Sequence, residues 1–84
     1  MPAIRWQKAG EADLLALDAD RATVRSTIPS APGSRLDGTL ASGRSLRLKV
    51  HRCRKIDEGF EIEGRLLDAT REARAELATL LPIR

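Results

Sequence analysis

The chain has 84 residues, with 15 Lys and Arg against 12 Asp and Glu, and a single His, Cys, Trp and Phe. That length suits one domain over 1–84 with one small core, and a net charge of +3 is too modest to argue for nucleic acid by itself. One cysteine excludes an internal disulfide, no Cys/His cluster has the spacing of a zinc site, and no stretch approaches the ~20 apolar residues of a membrane span. The first residues, MPAIRWQKAGEADLL, lack the apolar run of a signal peptide, so the expectation is a cytoplasmic protein in a reducing compartment.

Alternation of apolar and polar residues marks the strands in chain order. Ile4 and Trp6 share a face in a short strand over 3–7, and a second strand over 12–17 has a blurred period. Ala22, Val24 and Ile28 form the inward set of a third strand, and Leu36, Gly38 and Leu40 that of a fourth. Leu46, Leu48 and Val50 open a fifth strand, and Phe60, Ile62, Gly64 and Leu66 line a sixth. Turn chemistry separates them at Ala9-Gly10-Glu11, Asp18-Ala19-Asp20, Pro32-Gly33 and Ala41-Ser42-Gly43. Asp57-Glu58-Gly59 reads as a three-residue hairpin loop, which sets Ile56 opposite Phe60 and Lys55 near Glu61.

After Thr70 the period changes from two to helical spacing. Thr70 is placed to cap an N-terminus, Ala73, Leu77, Leu80 and Leu81 fall on one face, and Pro82 ends the pattern. A helix of about twelve residues is marginal alone in water and must dock on the sheet. The expected fold is therefore mainly β: a small six-stranded antiparallel β-barrel with one C-terminal α-helix.

Charge is segregated along the hairpin of the last two strands. Arg44 to Lys55 carries six Lys or Arg and no acid, whereas Asp57 to Glu63 carries four acids and no base. Cross-strand pairing of opposite charges accounts for part of this pattern. Arg52 and Arg54, however, occupy the parity of Leu48 and Val50. Either a bulge shifts the strand after Val50, or their stems line the barrel mouth. His51 and Cys53, two residues apart on a strand, would share a face without a third, orienting group, and no GxxxxGK[ST], GxGxxG or HExxH occurs. Neither a catalytic residue nor a metal site is expected.

The run APGSRLDGTLASGRSLRLKVHRCRKIDEGFEIEGRLLDATREARAELATLL resembles the second half of a PilZ domain, and ADLLALDADRATVRS resembles the strand, turn and strand before it. PilZ domains are six-stranded barrels that act as cyclic di-GMP receptors through an RxxxR motif and a [D/N]xSxxG motif. Here Arg5 stands at the first arginine and Ala9 at the second, while Ala16, Asp18 and Arg21 occupy the three defining positions of the other motif. The resemblance thus implies a non-enzymatic bacterial regulatory or adaptor module, acting through protein contacts in cyclic di-GMP-related signalling such as motility, with weak or absent ligand binding and no cofactor. An alternative is a cyclic di-GMP receptor using a rearranged cluster of Arg5, Arg21 and Arg25. A further alternative is a nucleic-acid binder using the basic strand, disfavoured because Trp6 and Phe60 fall at inward parity and leave no ring for stacking. The expected interaction surface is Arg44, Arg47, Lys49, Arg52 and Arg54, for a protein partner.

Overall fold

The structure, a computed structural model, describes residues 4–67 and 69–79. Six strands, β1 (Ile4–Trp6), β2 (Glu11–Asp18), β3 (Arg21–Ser26), β4 (Arg35–Leu40), β5 (Ser45–Ile56) and β6 (Gly59–Leu66), precede one helix, α1 (Arg71–Thr79). All pairings are antiparallel, and the strands close into a barrel in the order β1-β2-β3-β6-β5-β4. Two three-stranded meanders, β1-β2-β3 and β4-β5-β6, are thus sealed to each other along β3–β6 and β1–β4. No described helix is long and apolar enough to cross a membrane.

The alternating apolar residues form the core. Ile4, Trp6, Ala12, Leu14, Ala22, Val24, Leu40, Leu46, Leu48, Val50, Ile62 and Leu66 are buried together, joined by Leu77 from the helix. Ser26 is the buried polar residue among those described, placed where the third strand's pattern reaches inward. Its hydroxyl accepts a hydrogen bond from Trp6 Nε1 at 2.8 Å and donates one to the Ile28 carbonyl at 2.8 Å, so the indole is buried with its N–H satisfied. The strand ends there, and Ile28, expected as a strand residue, packs against the core from the loop beyond.

Two bulges explain where the sequence pattern loses phase. In β2 the register slips between Leu14 and Ala16, so the extra residue Leu15 blurs the period. In β5 it slips between Val50, opposite Gly64, and Arg52, opposite Glu63. The bulge rather than the barrel mouth therefore accommodates Arg52 and Arg54: both are exposed, and Cys53 takes the inward parity and packs against the core. This overturns the expectation that His51 and Cys53 share a face, because His51 is the bulged residue and is exposed. Gly64 permits the kink, since a Cβ there would run into the Lys49 carbonyl of the facing strand.

The β5–β6 hairpin also differs by one register step. Ile56 faces Gly59 and Lys55 faces Phe60, leaving Asp57 and Glu58 as the turn. Gly59, with φ of 130°, already belongs to the ladder, so Arg54 rather than Lys55 meets Glu61.

The helix crosses the end of the barrel where the β2–β3 and β4–β5 turns lie. The Thr70 hydroxyl accepts the Ala73 N–H at 3.1 Å, as expected of its cap, and Ala73 and Leu77 are buried. Leu80, Leu81 and Pro82 lie outside the described residues. Polar contacts hold the helix at both turns: Arg74 pairs with Asp20, and Glu76 accepts the Ser42 hydroxyl at 2.7 Å and the Arg44 Nε at 3.3 Å. The Ser42 hydrogen bond, followed by Arg44, holds the Glu76 carboxyl below its ordinary value.

Candidate anion-binding face

Antiparallel register decides which charges become neighbours, because residues directly opposite have Cβ atoms about 5 Å apart. Four strands bring four cations into one row. Arg35 of β4 faces Lys49 of β5, Lys49 faces Arg65 of β6, and Arg65 faces Arg21 of β3. All four are exposed at outward parity, and none of them meets a carboxylate among the described residues. At about 4.8 Å between strands the row is roughly 14 Å long. Strand tilt, typically 35–45° in barrels, makes it climb obliquely along one flank rather than encircle the barrel.

The rows on either side are balanced. Asp37 of β4 lies opposite Arg47 of β5, and Arg47 Nε donates to Asp37 Oδ1 at 3.0 Å. Beyond the bulge Arg52 faces Glu63. At the Arg21 end the row opens onto a shallow depression of about 440 Å³ lined by Asp18, Ala19, Asp20, Arg21, His51 and Arg65. Within this sheet face the row is the place where like charges follow one another across four strands, with Asp18 opposite Arg21 at its end.

Of the five residues expected to form the interaction surface, Arg44, Arg47, Lys49, Arg52 and Arg54, three hold carboxylates. Arg44 is engaged by Glu76 across to the helix, Arg47 by Asp37, and Arg54 by Glu61 at 2.9 Å. Arg52 has Glu63 as its register neighbour, and only Lys49 belongs to the open row. Nor are Arg5, Arg21 and Arg25 gathered into one cluster. Arg5 lies on β1 between Glu11 and Thr39. Arg25 meets Asp13 at 3.2 Å and Glu58 at 3.5 Å, and Arg21 is four residues further along β3, about 13 Å away. Arg21 instead joins Arg65, which with Arg35 was not singled out in the sequence.

Other chemistry finds little footing among the described residues. No three His, Cys, Asp or Glu side chains gather as metal ligands, and the bulge separates the environments of His51 and Cys53. Trp6 is 4% exposed and Phe60 packs against the core, so neither ring offers a stacking platform. Comparison of the chain with protein-family models, with curated proteins and with solved structures finds no match in any of the three.

Proposed function

We propose that this chain is a non-enzymatic regulatory or adaptor module that binds an acidic protein partner through the Arg35–Lys49–Arg65–Arg21 row. One observation carries the reading: four like charges stand side by side with no carboxylate between them, although acids sit in the adjacent rows. Like charges directly opposite one another weaken a sheet, so such a row has no stabilising role and suits a surface completed by a partner. The PilZ resemblance supports the adaptor character, and the dispersal of Arg5, Arg21 and Arg25 speaks against a guanidinium cluster for cyclic di-GMP.

The test compares two equal losses of charge. Lys49→Ala/Arg65→Ala thins the open row, and Arg25→Ala/Arg54→Ala removes two cations that already hold carboxylates. On immobilised heparin, as a generic polyanion, the first variant is expected to elute at clearly lower salt than the parent and the second close to it. Equal shifts would sink the proposal, because retention would then follow net charge alone. Calorimetric titration with cyclic di-GMP is expected to show a dissociation constant weaker than about 10 µM. Saturable nanomolar binding would restore the receptor reading.

A further inference from the structure

We infer that the open edge of β5 from Arg52 to Ile56 is a site for strand addition, taken by an extended acidic segment of another protein that pairs with it antiparallel. The site is separate from the cation row, and neither depends on the other.

The edge arises because β5 outlasts its neighbour. β4 pairs with it only as far as Arg35 opposite Lys49, and the residues before β4 add one more rung. Val50 N–H donates to the Ser34 carbonyl at 2.8 Å, and the Val50 carbonyl accepts the Gly33 N–H at 2.7 Å. There the chain turns away. Ser34 N–H donates back to the Ala31 carbonyl at 3.1 Å, with Pro32 and Gly33 at the centre of the turn and Gly33 at a φ of 90°, the geometry of a type II turn. Proline has no N–H with which to continue the ladder. On its other side β5 runs on beside β6 as far as Ile56 opposite Gly59.

Phase decides which backbone groups face the vacated side. The two-residue turn at Asp57 and Glu58 makes Ile56 and Gly59 a hydrogen-bonded pair, so Arg54 and Arg52 also bond to β6. β6 agrees: Leu66 N–H bonds to the Asp20 carbonyl on its β3 side, which leaves Glu61 and Glu63 bonding toward β5. The N–H and C=O of Cys53 and Lys55 therefore point to the open side, where no described residue meets them.

Charge selects the occupant. His51, Arg52, Arg54 and Lys55 are exposed, and β5 carries no acid. A second copy pairing antiparallel through the same edge would set these cations against one another, which opposes association. An acidic segment meets them instead. Arg52 and Arg54 fall at the non-hydrogen-bonded positions of the open side, where facing residues come closest, about 4.5 Å between Cα atoms. Acids opposite them would extend by one strand the alternation of Asp13, Arg25, Glu61 and Arg54 across β2, β3, β6 and β5. The residue between those acids lies opposite Cys53, which packs against the core, so an apolar β-branched side chain suits it.

Fluorescence anisotropy at about 0.15 M salt, where attraction between net charges is screened, tests this with labelled, end-capped peptides of alternating Glu and Val. In the inferred register the Val N–H groups face β5 and the Glu N–H groups face away. The peptide is expected to bind saturably, N-methylation at Val to weaken it about tenfold or more, and N-methylation at Glu to leave it within about threefold. Lys55→Pro removes an open-side N–H without touching the β6 ladder and should also weaken binding about tenfold, whereas Lys49→Ala/Arg65→Ala should leave it within about threefold. Melting curves check each fold, and Arg52→Ala, expected to weaken binding several-fold, replaces Lys55→Pro if that variant is unfolded. Equal weakening by the two methylations would mean attraction without strand pairing and overturn the inference. Binding lost in Lys49→Ala/Arg65→Ala but kept in Lys55→Pro would put the peptide on the cation row and overturn it too, with the proposed function intact. Dimerisation of the parent that Lys55→Pro abolishes would give the edge to a second copy. No binding by any peptide removes the strand site, while heparin retention still reports on the row.

Discussion

Two rows of charge cross the outer surface of this barrel about 13 Å apart along β3, and they are built from the same residue types to opposite effect. In one, Arg54, Glu61, Arg25 and Asp13 alternate in sign across β5, β6, β3 and β2, with Arg54–Glu61 at 2.9 Å and Arg25–Asp13 at 3.2 Å. In the other, Arg35, Lys49, Arg65 and Arg21 repeat one sign across β4, β5, β6 and β3. Each opposite pair in the first row is of a kind that contributes roughly 0.2–1 kcal/mol, and each like pair in the second opposes the fold by a similar amount. The alternating row holds strands together. The uniform row is held in place by the rest of the barrel, and its residues are exposed.

The largest expected effect comes from disturbing the register that keeps the two rows apart. Gly64→Ala puts a methyl group against the Lys49 carbonyl at the β5 bulge, so β5 and β6 must separate there. A loss of about 2 kcal/mol is expected, or roughly 10 °C in melting temperature. A variant that melts like its parent would show that the strands do not approach this closely.

Reversing a charge in each row sharpens the contrast, because the two changes should move stability in opposite directions. Glu61→Lys places a cation between Arg54 and Arg25 and should cost about 1 kcal/mol, read as a melting temperature lower by about 4–8 °C. Lys49→Glu places an acid between Arg35 and Arg65 and should raise stability by about 0.5 kcal/mol while weakening retention on heparin. Shifts of the same sign would mean that the register neighbours do not sense one another.

The smallest effect concerns the helix clasp. Glu76 has its carboxyl held below the ordinary value of 4.5 by the Ser42 hydroxyl first and by Arg44. A carboxylate whose folded value is depressed stabilises the protein above its ordinary value, and that contribution is lost as pH falls through the folded value. Parent and Glu76→Gln should therefore differ in melting temperature at pH 6 and draw together as pH falls below the ordinary carboxylate value. Parallel curves across that range would show that the clasp does not sense the ionisation.

Much of the barrel is legible in the sequence because a strand with one wet face writes its parity directly: Leu46, Leu48 and Val50 against Arg47 and Lys49, or Ala22 and Val24 against Thr23 and Arg25. The helix is legible from its cap and from Leu77. The open row is harder to see. Arg35 and Lys49 sit symmetrically about Ser42, so local turn geometry reaches that pair. Lys49 with Arg65 depends on the β5 bulge, which shifts the register by one residue between the hairpin turn and this rung. Arg21 with Arg65 depends on barrel closure across 43 intervening residues, for which no local pattern exists. The expected surface followed the density of Lys and Arg along β5, whereas neutralisation is settled across strands, by Asp37, Glu61 and Glu76.

The β3–β6 seam gives the open row a kinetic dimension. Arg21 belongs to the N-terminal meander, and Arg35, Lys49 and Arg65 to the C-terminal one, so neither half contains the four cations. Each meander emerges from synthesis as a short-range unit, but sealing them requires distant pairings of the kind that slow folding to milliseconds or longer. Along that seam Arg25 stands opposite Glu61 and Arg21 opposite Arg65, so charge favours closure at the Glu61 end and opposes it at the Arg65 end. Chain cleavage in the β3–β4 loop, between Pro29 and Ser34, would then yield two fragments that recover the row only by reassociating, and partner binding would report that the barrel has closed.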